Sequence, residues 1–155
     1  VPGAWSSRAV SRLAGAGGFI NISQSAKAVI FVGTFTAGSL LLTLADGQVG
    51  IRQEGDTRKF VSGVEHRTFS GAESLRRGQR VLYITERCVF ELTPAGLVLS
   101  EIAPGVDLQR DILDRMDFMP LMPTAPKLME ARIFAELPMH LRTSLLAEPL
   151  GQSGS

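Results

Sequence analysis

Apolar and polar positions along the chain fall into short runs separated by turn residues, not into long amphipathic stretches. Ala28-Val29-Ile30-Phe31-Val32-Gly33-Thr34 is a continuous apolar run with β-branched members. That is the pattern of a strand covered on both faces in a parallel sheet. Val81-Leu82-Tyr83-Ile84-Thr85 reads as another buried strand. Residues 40–45 and 48–53 flank Asp46-Gly47, a dipeptide suited to a two-residue type I′ turn, which predicts a hairpin. Its second arm alternates at Val49 and Ile51, so one face is expected to be wet. Residues 88–92 and 97–102 predict a second hairpin, joined by Thr93-Pro94-Ala95-Gly96.

Helical signals are shorter. Residues 20–26 suit one or two turns. Residues 72–77 suit a short helix ending at Gly78, within a stretch from 58 to 77 that is otherwise polar and mixed. Asp107 is a good N-cap for a helix running to about Met116, with Leu108, Ile112, Leu113 and Met116 on one face. Pro120, Pro123 and Pro126 then break regular structure, residues 127–137 suit a last short helix, and residues 152–155 are expected to fray. There is no internal repeat. The elements add up to an α/β fold with hairpin decorations.

Composition narrows the function classes. A chain of 155 residues fits one domain, able to bury about two-thirds of its unfolded surface. The net charge of +1 supplies no basic field for nucleic acid. Cys88 is the single cysteine and reads as a small buried hydrophobe; His66 and His140 are too few for a zinc ligand set. No apolar stretch reaches the roughly 20 residues that span a bilayer. No Asp or Glu precedes Asp46, while Arg8, Arg12 and Lys27 do. An organellar transit peptide has that bias, and so do a loop and a buried strand that lack acids. The second reading is preferred, because Gly-rich and β-like character begins close to Val1.

The chemistry-bearing feature is Gly15-Ala16-Gly17-Gly18-Phe19. Consecutive glycines let a ligand approach the main chain, and a helical turn after them can aim several N–H groups at a phosphate, a carboxylate or a developing oxyanion. A purely structural turn is the other reading of such a cluster. The dinucleotide fingerprint is set aside, because Ile20 stands where a third glycine or alanine belongs.

In wider context the cluster resembles the G-x-G-G-[AF] motif of class I acyl-CoA:carboxylate CoA-transferases. Ile84-Thr85-Glu86-Arg87-Cys88-Val89-Phe90 is similar to that family's I-T-E-[RK]-x-V-F segment. Glu101-Ile102-Ala103-Pro104-Gly105-Val106-Asp107 is similar to its E-I-x-x-G-[VIL]-[DT] segment, leading on to Met116-Asp117-Phe118. The resemblance covers about residues 8–137, and Phe69-Ser70-Gly71 points to the single-chain acetate/propionate branch. It implies a three-layer α/β domain on a mainly parallel sheet, present here as an incomplete, carboxy-terminal part. Residues 1–14 would be an amino-terminal remnant, 15–137 the later part of the second domain, and 138–155 a tail.

The resemblance also implies a mechanism. A glutamate attacks the acyl-CoA thioester, the CoA thiolate attacks the resulting anhydride, and a glutamyl-CoA thioester is resolved through the acceptor carboxylate. That glutamate belongs upstream of the glycine motif, and residues 1–14 contain none. No catalytic residue is therefore expected in this chain. Gly15, Gly17, Gly18 and Phe19 are the expected oxyanion and CoA-binding residues, the N–H groups of Gly17 and Gly18 serving the thioester carbonyl. Neither a metal nor a cofactor is implied, CoA being a substrate. The implied partners are an acyl-CoA, a carboxylate and the amino-terminal part of the same enzyme. The whole would be a homo-oligomer in the cytoplasm, or in the mitochondrial matrix of a eukaryote, serving short-chain fatty acid or ketone body metabolism. A non-catalytic ligand-binding module or partner subunit of the same fold is the alternative. Glu86 reads as a strand-end acid paired with a neighbour in preference to a catalytic group, and Glu54, Glu65 and Glu73 as solvated. Lys27 reads as a helix-end lysine in water in preference to a partner of a CoA phosphate, and Asp107 as a cap.

Overall fold

The computed structural model describes residues 4–5, 25–62 and 71–141. Its centre is a five-stranded mixed sheet of β2 (Ala28–Val32), β8 (Arg80–Ile84), β9 (Cys88–Thr93), β10 (Gly96–Ile102) and β11 (Lys127–Leu128), in the order β11-β10-β9-β8-β2. The flanking pairs β2–β8 and β10–β11 are parallel, and the hairpin pairs between them are antiparallel. Four two-residue strands and one hairpin surround it: β1 (Ala4–Trp5) pairs with β7 (Phe60–Val61), β3 (Thr36–Ala37) with β6 (Thr57–Arg58), and β4 (Leu41–Ala45) with β5 (Gln48–Gln53).

Both apolar runs are strands, as expected, and they pair with each other in parallel, with Val29 opposite Val81. Only one face of β2 is covered, however. Val29 is buried and Phe31 stacks on Tyr83 at 5.0 Å, while Ile30 and Val32 are 55% and 73% exposed. Among the described residues β2 has one sheet neighbour, and Ile30 and Val32 leave its other face largely exposed.

Both hairpins form at the expected turns. Asp46 and Gly47 have φ of 53° and 72°, the paired positive values of a type I′ turn. Gly96 opposes Thr93 across Pro94-Ala95. The helix α1 (Gly71–Arg76) ends as predicted: Gly78 has φ of 70°, its N–H donates to Leu75 O, and Gln79 N–H donates to Ser74 O. That is a Schellman closure.

Two expectations change in detail. The helix after Asp107 is capped as predicted, Arg110 N–H donating to Asp107 Oδ1 at 2.7 Å, but it winds as a π-turn (Leu108–Ile112) and then a 3₁₀ turn (Leu113–Arg115). Ile112 and Met116 are still buried by it. Residues 127–137 are not one helix. Lys127–Leu128 adds to the open edge of β10, with Met129 N–H donating to Ile102 O, and a 3₁₀ turn follows at Ala131–Phe134. The unpaired β10 backbone outcompetes a short helix next to Pro126.

The main core gathers Phe35, Phe60, Val81, Cys88, Phe90, Leu99 and Ile112, with Phe60 4.8 Å from Phe35 and 4.9 Å from Phe90 between ring centroids. A second cluster of Val49, Val89, Ala103, Met129 and Phe134 fastens the β4–β5 hairpin to the sheet. Gly105 sits at that junction, beside the hydrogen bond from Val49 N–H to Pro104 O. Its φ is +86°, and a β-carbon there would lie 2.8 Å from the Val49 carbonyl oxygen. Gly105→Ala is therefore expected to destabilise by about 1–3 kcal/mol, read from the urea midpoint at unchanged slope.

Candidate functional site

In open α/β sheets, ligands bind beyond the carboxyl ends of the parallel strands. Here those ends lie side by side, where Gly33 N–H donates to Ile84 O at 3.1 Å. From β2 the chain continues into Thr34, Phe35 and Thr36, and from β8 into the tight turn Thr85-Glu86-Arg87-Cys88. Thr85 pins that turn: its hydroxyl donates to Cys88 O at 2.9 Å and accepts from Cys88 N–H at 3.0 Å. The short turn projects Glu86 and Arg87 into the surrounding loops.

Arg87 is fully buried. Its Nη1 donates to Glu54 Oε2 at 3.0 Å and to Asp111 O at 2.8 Å, its Nη2 to Glu54 Oε1 at 3.1 Å, and its Nε to Glu86 Oε1 at 2.8 Å. The guanidinium also stands 4.7 Å from the Phe35 ring centroid. Glu54 accepts further from Thr36 Oγ1 at 2.6 Å and Gly55 N–H at 3.1 Å, and Arg115 Nε approaches it at 3.6 Å. The second oxygen of Glu86 accepts from Phe35 N–H at 2.7 Å. Lys59 Nζ donates to Thr34 O at 2.9 Å and to its hydroxyl at 2.8 Å. One planar cation thus ties the loop after β2, the loop after β5 and the helix after Asp107 to the β8–β9 turn.

Burial by itself would push the Glu54 carboxyl up; hydrogen bonds from Arg87 and Thr36, the Arg87 charge and Gly55 N–H outweigh it and hold the group below the usual glutamate range. A carboxyl depressed by folding stabilises the native state above its unfolded value of about 4.3, and that stabilisation is lost as pH falls through the lower folded value. Asp111 acts with the same sign, through hydrogen bonds from Arg110 and from Asp107 N–H. Melting temperature is thus expected to drop below about pH 4.3, and Glu54→Gln should flatten that drop while lowering the plateau at neutral pH. An identical acid limb in the variant would contradict this.

The geometry sorts the residues singled out in the sequence. Gly15, Gly17, Gly18, Phe19, Glu65 and His66 lie outside the described residues. Lys27 is exposed. Glu73 pairs with Arg76 and Arg77 on α1, and Asp107 caps its helix. Glu86 is paired with its neighbour, as expected. Glu54 is not solvated: it is the principal partner of Arg87. Nothing in the sequence around Glu54 announces this, since its partner lies 33 positions away. Among the described residues, no group of three His, Cys, Asp or Glu is placed to hold a metal ion, and no helix is long and apolar enough to cross a membrane.

No family model matches the chain. It is 53% identical over 128 residues to acetate CoA-transferase YdiF of Escherichia coli O157:H7, covering 83% of this chain and 24% of that protein. It is 47% identical over 125 residues to caffeate CoA-transferase of Acetobacterium woodii, covering 81% and 24%. Among solved structures, it is similar to the E. coli O157:H7 acyl-CoA transferase YdiF as a thioester complex with CoA, at a TM-score of 0.76, 55% identity, and coverage of 79% and 24%. The apoenzyme structure of YdiF gives a TM-score of 0.77 at 54% identity, with the same coverage. The resemblance to CoA-transferases read from the motifs, and the α/β fold it implied, are borne out. The chain spans about a quarter of the length of these relatives.

Proposed function

We propose that this chain is the carboxy-terminal portion of a CoA-transferase that moves CoA between an acyl-CoA and a short-chain carboxylate of the acetate/propionate type. Identity of 53% over 128 residues to an acetate CoA-transferase carries the reading. The 47% identity to a caffeate enzyme supports the carboxylate class more firmly than any one acid. In this proposal a glutamate outside the chain forms the glutamyl-CoA thioester, which the thioester complex of the E. coli relative supports. Gly15, Gly17, Gly18 and Phe19 line the reacting centre, with the N–H groups of Gly17 and Gly18 on the thioester oxygen. Residues 15–137 form the later part of the second domain, flanked by 1–14 and a 138–155 tail. No cofactor is needed, the complete enzyme is a cytoplasmic homo-oligomer, and CoA is carried only transiently.

The chain alone is expected to exchange no CoA between acetyl-CoA and propionate above background. The complete protein is expected to do so with ping-pong kinetics, at a rate of about 1–1000 per second. Turnover by the chain alone would overturn the assignment of the nucleophile to another segment. A complete protein without transfer activity would overturn the function itself.

A further inference from the structure

We propose that Glu86 is a positioning residue for CoA transfer, holding the loop that follows β2 at the carboxyl edge of the parallel strands through the Phe35 amide. The proposal rests on the reading given under Proposed function.

Both oxygens of Glu86 are engaged, Oε2 by Phe35 N–H at 2.7 Å and Oε1 by Arg87 Nε at 2.8 Å. It is therefore not disposed to act as a nucleophile. The bond to Phe35 crosses 51 positions of sequence and fixes the backbone just after the end of β2. There Thr34 is exposed, accepts from Lys59 and donates from its hydroxyl to Thr36 O at 2.6 Å. Phe35 is buried beneath it against Phe60 and Arg87. The loop therefore has a rigid underside and a polar outer side at the strand ends where an α/β sheet binds its ligand. A displacement of about 1 Å in such a supporting loop can cost about a hundredfold in rate.

Glu86→Gln tests this in the complete enzyme. A glutamine has one acceptor oxygen, so it can serve Phe35 N–H or Arg87 Nε but not both, and its NH₂ then faces the other donor. Expected is a fall in kcat of about ten- to a hundredfold per folded molecule, with KM for acetyl-CoA changed by less than about threefold, and partial recovery in Glu86→Asp. Gly105→Ala is the control for stability alone: it lowers the melting temperature and leaves kcat per folded molecule unchanged. If Glu86→Gln matches Gly105→Ala, losing stability without kcat, the positioning role is overturned. If Glu86→Gln does not fold, Glu86→Asp decides: wild-type kcat overturns the proposal, and a reduced kcat at normal stability supports it. A complete wild-type enzyme that transfers no CoA overturns the reading on which this one rests.

Discussion

Arg87→Met is expected to destabilise the fold by about 3–5 kcal/mol, a large share of the stability of a domain this size. The side chain is fully buried, and its removal leaves Glu54 and Glu86 without the cation between them. The loss comes from the stranded carboxylates more than from the pair's own attraction, because taking the ions out of water offsets most of that attraction. Arg87→Lys should recover little: a single ammonium cannot donate to Glu54, Glu86 and the Asp111 carbonyl along the same directions. Adding Glu54→Gln and Glu86→Gln to Arg87→Met should return part of the stability, since neutral amides are cheaper to bury than unpaired charges. Urea titrations of the wild type and these three variants measure all of this. A triple variant no more stable than Arg87→Met would show that the three side chains do not act as a unit.

Gly18→Val in the complete enzyme is expected to lower turnover about a hundred- to a thousandfold, the usual consequence of displacing one oxyanion donor, or about 2.7–4 kcal/mol. Under the proposed function the loss falls on kcat with the melting temperature nearly unchanged. A merely structural turn predicts the reverse order: stability falls first, and activity falls only with the folded fraction. Melting temperature and turnover taken on the same sample separate the two. A variant that folds normally and turns over at the wild-type rate would remove Gly18 from the site.

What was legible in the sequence was local. Asp46-Gly47 announced its hairpin because both residues tolerate positive φ, and Gly78 announced the end of α1 for the same reason. Residues 28–32 and 80–84 were each legible as a strand from their continuous β-branched apolar runs, but not their pairing with one another. What stayed hidden was decided at long range. Lys127 and Leu128 are extended because β10 offers an unpaired edge, a fact absent from their own neighbourhood. Phe60 is a core residue inside a segment that reads as polar, because the aromatic positions 35 and 90 come to meet it. The clamp on Arg87 was half legible. The pairing of Glu86 followed from adjacency, whereas Glu54 lay among polar residues and gave no sign of a buried partner 33 positions on.

Cys88 packs in the main core, its sulfur 3.4 Å from the Thr85 hydroxyl, and burial pushes its thiol well above the usual range. As the sole thiol in the sequence it is silent to alkylating reagents while the sheet is closed, because neither contact nor thiolate is available. Labelling then waits on an excursion that parts β9 from β8 and from the Arg87 clamp. The chain therefore carries its own clock: the pace at which iodoacetamide modifies Cys88 reads how often its centre opens, with no probe added to it.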